Sequence, residues 1–220
     1  MRDCRAVVFD MDGLIFDSER LVLICWEKLA GKYHLEGMHE VMLRCIGTTK
    51  VKTKEIVLDY YGQDFPYEAY CAEASAMFHE ISERDGLPVK KGVRELLNYL
   101  REQDIPTALA SSTRLAVVTQ ELQQAGLYQY FREIVGGDQL MRSKPEPDIY
   151  LMACERLGVL PERAYAIEDS YNGIRSAYSA GMKPIMVPDL LPPTEEMREK
   201  SVVVLDDLLQ VKEWLENRKE

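Results

Sequence analysis

The stretch AVVFDMDGLIFDS, residues 6–18, decides the fold. Four apolar residues, Ala6, Val7, Val8 and Phe9, run into Asp10; Asp12 follows two positions on and Gly13 comes next. A short apolar run of this kind reads as a buried strand, and strands buried on both faces belong to parallel sheets. Ending such a strand in two neighbouring carboxylates is unfavourable unless positive charge compensates the repulsion.

Working outward, similar β-rich runs recur at PTALASS (106–112), EIVGG (133–137), RAYAIED (163–169), PIMVPD (184–189) and VVVL (202–205). Helical patterns separate them. Residues 92–103 carry Val93, Leu96, Leu97 and Leu100 on one face. Residues 115–127 approach their end at Gly126, 147–159 open at Pro147 and close at Gly158, and 172–182 close at Gly181, in keeping with the preference for Pro at helix starts and Gly at helix ends. Strands alternating with helices predict an α/β fold: a doubly wound, Rossmann-like parallel sheet with helices on both faces. One region breaks the alternation. SERLVLICWEKLAGKY (18–33), KTKEIVLDYYG (52–62) and PYEAYCAEASAMFHEISER (66–84) all read as helices, with no strand among them. Residues 17–86 are therefore expected to form an inserted all-helical cap domain, joined to a core of residues 1–16 and 87–220 through 14–17 and 85–91. Tyr60, Tyr61, Phe65, Tyr67 and Tyr70 would form the cap's own core, and 206–220 a closing helix with Leu208, Val211 and Trp214 inward.

Composition narrows the function. The chain has 220 residues, 46% hydrophobic and 29% charged, which is ordinary for a globular enzyme. A net charge of −10 without Lys or Arg clusters argues against nucleic acid as partner. No apolar run approaches the ~20 residues that span a membrane, and no basic segment leads into a long apolar one at the N-terminus. The five cysteines are odd in number and lack C-x-x-C spacing. A reduced, cytoplasmic protein with no obligate protein partner is the expectation. His34, His39 and His79 fall in the predicted cap without ligand spacing.

The chemistry gathers at the predicted strand ends. The first strand ends in Asp10 and Asp12, the second in Ser111 with Ser112 beside it, the third leads to Lys144 in RSKPEPD, and the fourth ends in Glu168 and Asp169. In a parallel sheet all of these line the carboxyl edge, where ligands bind. Asp10, Glu168 and Asp169 offer oxygen ligands to a hard cation such as Mg²⁺, which would relieve the repulsion between the acids. Ser111 with its neighbouring backbone amides, and the Lys144 ammonium, suit a phosphoryl group. Asp10 is then placed to attack phosphorus, and Asp12 to protonate the leaving oxygen and activate water. Each element read singly has an ordinary structural explanation, an Asx turn, a helix cap or a solvated lysine; their order at successive strand ends does not.

DMDGLIFDSE, ALASST, SKPEPDIY and IEDSYNGIRSAYSAGM together resemble the four motifs of the haloacid dehalogenase-like (HAD) superfamily, over nearly the whole core. Within it the chain is similar to the branch with a helical cap after the first motif, which includes β-phosphoglucomutases and sugar-phosphate phosphatases. The resemblance implies that Asp10 is the nucleophile and a Mg²⁺ ligand, and that Asp12 is the general acid/base and lends the metal its backbone carbonyl. It further implies that Asp169 is a metal ligand with Glu168 beside it, and that Ser111 and Lys144 bind the phosphoryl group. IGTTK (46–50) resembles the cap loop that carries a basic residue, which makes Lys50 a substrate-binding candidate together with Ser112. Asp12 separates the chain from the dehalogenases. The cap histidine and lysine of the mutases correspond to Val22 and roughly Glu73, which favours hydrolysis over isomerisation. The expected activity is Mg²⁺-dependent hydrolysis of a small phosphorylated metabolite through an aspartyl phosphate. A phosphosugar mutase is the alternative; a signalling receiver domain and a regulatory protein without turnover fit less well.

Overall fold

The computed structural model describes residues 5–46, 48 and 50–218, excluding the side chain of Lys50. The strands are β1 (Ala6–Phe9), β2 (Thr107–Ser111), β3 (Glu133–Gly136), β4 (Ala164–Glu168), β5 (Lys183–Met186) and β6 (Val203–Val204). They form one six-stranded sheet in the order β3-β2-β1-β4-β5-β6, with every pair parallel. This is the α/β architecture expected from the alternating pattern, and each strand falls within or beside its predicted run.

The order has a functional consequence. From β1 the chain winds outward through β2 to β3, then returns to β4 beside β1 and winds outward the other way. Strand order reverses between β1 and β4, and a crevice opens there at the carboxyl ends. Asp10 follows β1 and Glu168 closes β4, so both face that crevice.

Side-chain alternation explains the layering. Ala6, Val8, Ala108, Ala110, Ala164 and Ala166 point to one face and pack with Ile149, Tyr150, Ala153 and Leu157 of α7 (Asp148–Leu157). Small side chains there let the helix lie close to the strands. Among the core's other helices, α5 (Val93–Glu102) buries Val93, Leu96, Leu97 and Leu100, the face read from its spacing, plus Tyr99. It packs with α10 (Leu208–Glu216). In α10 the buried positions are Leu208, Val211 and Leu215; Trp214, expected inward, is only partly buried and lies edge-on to Tyr165 at 5.5 Å. The core is completed by α6 (Leu115–Gln124), α8 (Tyr171–Ser179) and α9 (Glu195–Lys200). No expectation covered α9, whose only buried apolar residue is Met197. Its signals are polar: the Thr194 hydroxyl accepts from the Met197 amide, and acidic residues lead basic ones along the helix.

The chain divides into two compact units, Met1–Phe16 with Pro88–Glu220, and Asp17–Leu87. The second is all helical: α1 (Ser18–Lys32), α2 (Met38–Cys45), α3 (Lys50–Tyr61) and α4 (Tyr67–Asp85). The sequence reading missed α2, because eight residues barely exceed two turns and give too short a window for periodicity. This unit has its own core, in which Tyr70 is fully buried against Trp26, Phe65 and Tyr33, at ring distances of 5.1, 5.3 and 5.7 Å. Tyr60 lies edge-on to Tyr61 at 4.8 Å but is nearly half exposed. Cys25, Cys45, Cys71 and Cys154 are free thiols. No helix among the described residues is long and apolar enough to cross a membrane.

The buried Tyr70 hydroxyl donates to the Trp26 carbonyl at 2.6 Å. Tyr70→Phe removes that donor without changing ring packing and is expected to destabilise the helical unit by about 1 kcal/mol. Urea unfolding read from Trp26 fluorescence in a Trp214→Phe background measures it.

Candidate active site

The centre of the site is Glu168, which is completely buried. A buried carboxylate needs partners, and this one accepts five donors. Lys144 Nζ and the Tyr150 hydroxyl reach Oε1 at 2.6 and 2.7 Å. The Asp169 amide, the Ser170 amide and the Ser170 hydroxyl reach Oε2 at 3.1, 3.1 and 3.0 Å. The Ser170 hydroxyl also accepts from the Gly173 amide at 3.1 Å, which caps α8. Glu168 thereby ties the end of β4 to the start of α8 and to Lys144.

Lys144 is equally enclosed, with its side chain 7% exposed. Its ammonium donates to Asp10 Oδ1 at 2.5 Å, to Glu168, and to the Ala110 carbonyl at 3.0 Å. Burial pulls its pKa down, but the two carboxylates outweigh burial and hold it above the usual lysine range. For Asp10, burial dominates and pushes the carboxyl up to about 8, with Glu168 and Asp12 adding to burial and Lys144 opposing it. Asp169 is raised by burial and by the neighbouring Glu168, Asp10 and Asp189 carboxylates. Glu168, unlike Asp10 and Asp169, is held below its usual range: burial raises it, but Lys144 and the hydrogen bonds prevail.

Asp12 has partners of its own. Its Oδ2 accepts from the Thr113 hydroxyl at 3.0 Å and, at 3.4 Å, from the Ser111 hydroxyl. Ser111 in turn accepts from the Thr113 amide at 3.0 Å. Ser111 therefore does not cap the following helix, whose first amide, on Leu115, is taken by Asp138 Oδ1 at 2.8 Å. Ser112 is exposed between them.

Of the residues singled out from sequence, Asp10, Glu168, Asp169 and Lys144 meet at one end of the sheet, and Ser111 bonds to Asp12 beside them. Lys50 opens α3, but its side chain lies outside the described residues. Sequence reasoning missed Thr113, Tyr150, Lys90 and Asp189. Thr113 and Tyr150 lie in the quoted motif stretches, yet nothing in a linear pattern says which hydroxyls turn inward.

The acids suit a cation. Asp10, Glu168 and Asp169 each offer one oxygen, and these oxygens lie within 4.8 Å of one another. Asp169 Oδ1 is buried without a hydrogen-bond partner, as a carboxylate oxygen awaiting a hard cation would be. Glu168 belongs to the cluster, but its oxygens are already the most heavily used.

In the helical unit, Val22 lines a cavity of about 750 Å³ with Trp26, Met42, Ile46 and Tyr67. Glu73 accepts from Lys32 and from the Tyr33 hydroxyl.

Glycine is required at position 173. A methyl there would fall 1.8 Å from Glu168 Cδ, and the five donors leave that carboxylate nowhere to move. Gly173→Ala is expected to destabilise the core by at least about 2 kcal/mol, measured by urea unfolding through Trp214. Gly31→Ala in α1, where a methyl meets nothing within 4 Å, is the control and should be neutral or slightly stabilising.

A family model described as haloacid dehalogenase-like hydrolase matches residues 7–187. The chain is 34% identical over 188 residues to a phosphorylated carbohydrates phosphatase of Thermotoga maritima, covering 82% of this chain and 83% of that one. It is 31% identical over 189 residues to the beta-phosphoglucomutase of Bacillus subtilis, covering 81% and 80%. The crystal structure of a HAD family hydrolase from Deinococcus radiodurans with bound phosphate and sodium superposes with a TM-score of 0.82 at 26% identity, covering 98% of this chain and 96% of that one.

Proposed function

The chain belongs to the haloacid dehalogenase-like hydrolases and is a phosphomonoester hydrolase, and from that premise we propose that it cleaves a small sugar phosphate or similar ester through a phosphoryl group carried on Asp10. The observation that carries the reading is the pairing of Asp10 with Lys144 at 2.5 Å in a nearly dry site, with a second acid, Asp12, held on separate hydroxyl donors.

Asp10 Oδ attacks phosphorus, and the bond from phosphorus to the ester oxygen breaks. Lys144 is placed to neutralise the phosphoryl oxygens as they gather charge. Asp12 gives its proton to the departing alcohol and later takes one from the water that attacks the aspartyl phosphate. The Thr113 and Ser111 hydroxyls hold Asp12 on donors of its own, separate from the Lys144 ammonium that holds Asp10. Asp10 and Asp169, the Asp12 carbonyl and the adjoining Glu168 would hold Mg²⁺, which when bound shields the phosphoryl oxygens from the attacking carboxylate. The phosphatase relative supports a phosphorylated carbohydrate as substrate. The mutase relative keeps isomerisation as the competing reading; valine rather than a titratable group at position 22, and Glu73 already engaged by Lys32 and Tyr33, favour hydrolysis.

Asp10→Asn is expected to abolish phosphate release from a panel of sugar and polyol phosphates, with the fold unchanged by circular dichroism; retained turnover would overturn the nucleophile. Asp12→Ala should slow turnover by roughly 10²–10⁴-fold and leave a trapped phosphoenzyme, visible as one added phosphate by intact-protein mass spectrometry. β-Glucose 1-phosphate converted to glucose 6-phosphate without phosphate release, given a bisphosphate primer, would make the enzyme a mutase.

A further inference from the structure

Beside the acids already described lies a pair that the mechanism does not use. Lys90 Nζ donates to the Gly13 carbonyl at 2.6 Å and to Asp189 Oδ1 at 2.5 Å. The Asp189 side chain is 7% exposed. Its other oxygen, Oδ2, is buried and has no hydrogen-bond partner, as is true of Asp169 Oδ1. The two carboxylates lie together: a methyl built on Gly13 would fall 2.3 Å from Asp169 Oδ2 and 3.4 Å from Asp189 Oδ2. Two buried carboxylates with an unpartnered oxygen each, next to one another, are unfavourable by themselves, and Lys90 satisfies only one oxygen of one of them.

The backbone under the pair is also fixed. The Gly13 amide donates to the Phe16 carbonyl at 3.0 Å. In a trans peptide the preceding carbonyl, that of Asp12, then points the opposite way. Lys90 holds the next carbonyl, that of Gly13, and its own amide donates to Ile15 at 2.9 Å. Lys90 thus sets the loop after Asp10 and the Asp189 carboxylate at once.

We propose that Lys90 and Asp189 are positioning residues for the cation site, with Asp189 Oδ2 accepting from water molecules on a divalent cation held by Asp10 and Asp169. This inference rests on the reading that the core binds such a cation. Mg²⁺ keeps several waters when protein-bound, and each needs an acceptor; Asp189 Oδ2 is a buried acceptor without a hydrogen-bond partner beside Asp169. Lys90 keeps that oxygen in place by binding its twin.

The test uses the whole chain with Mn²⁺ alone as probe, free Mn²⁺ being counted by its electron paramagnetic resonance signal. Asp189→Asn keeps an acceptor for Lys90 but turns the free oxygen into a donor. It is expected to raise the Kd for Mn²⁺ roughly 10–100-fold while leaving the melting temperature in EDTA unchanged or higher, a combination that a purely structural role would not produce. Asp189→Ala is the second variant, should the amide not fold, and is expected to shift Kd in the same direction. A Kd within twofold of the native value in the folded variant, with Asp169→Asn having lost binding, would overturn the role of Asp189 and leave the cation site standing. Native Mn²⁺ affinity in Asp169→Asn would overturn the cation reading itself, and this inference with it.

Discussion

The buried ion pair between Glu168 and Lys144 is the constraint on which the rest of the site depends. Glu168 has no exposed surface and Lys144 almost none, so neither charge is tolerable without the other. Removing one partner of such a pair typically costs about 3–5 kcal/mol, because the remaining charge is left in a medium that does not solvate it. Glu168 has five donors and Lys144 three acceptors, drawn from the end of β1, from β2 and β4, the loop before α7, α7 itself and the start of α8. Elements far apart in sequence are thereby held to one point, and Asp10 is seated against a fixed cation.

That concentration of charge sits at the end of the sheet because of topology. All strands run parallel, so their carboxyl ends share one edge, and the reversal of order between β1 and β4 opens the edge at the place where Asp10 and Glu168 emerge. The strands beneath are buried along their whole length and mostly apolar. A dry floor strengthens every electrostatic interaction above it, which is why burial is the leading influence on Asp10, Lys144, Glu168 and Asp169 alike.

The helical unit follows different rules. It buries aromatic rings around Tyr70 and makes a core of its own, and it carries ion pairs on its surface, such as Lys54 with Glu68 and His39 with Glu27. Val22 lines a cavity there whose wall mixes apolar side chains such as Trp26 and Met42 with Glu19 and Lys54.

The sequence alone determined the α/β class, the strands and the helices with long amphipathic faces, since backbone alternation and helical periodicity write burial directly into the order of residues. It also placed Asp10, Ser111, Glu168 and Asp169 at strand ends and Lys144 in the loop that follows the third strand, which in a parallel sheet is enough to predict a shared edge. It did not reveal α2 or α9, whose apolar stripes are too short to register, and it put Trp214 inward where Leu215 takes the position. Only the tertiary structure decided which hydroxyls and charges turn toward the acids: Thr113 onto Asp12, Tyr150 onto Glu168, and Lys90 between Gly13 and Asp189. The physical reason is that a hydrogen bond is set by a few ångströms and by a direction in space. Asp189 and Lys90 stand 99 positions apart along the chain, with no local pattern to announce that folding brings them together.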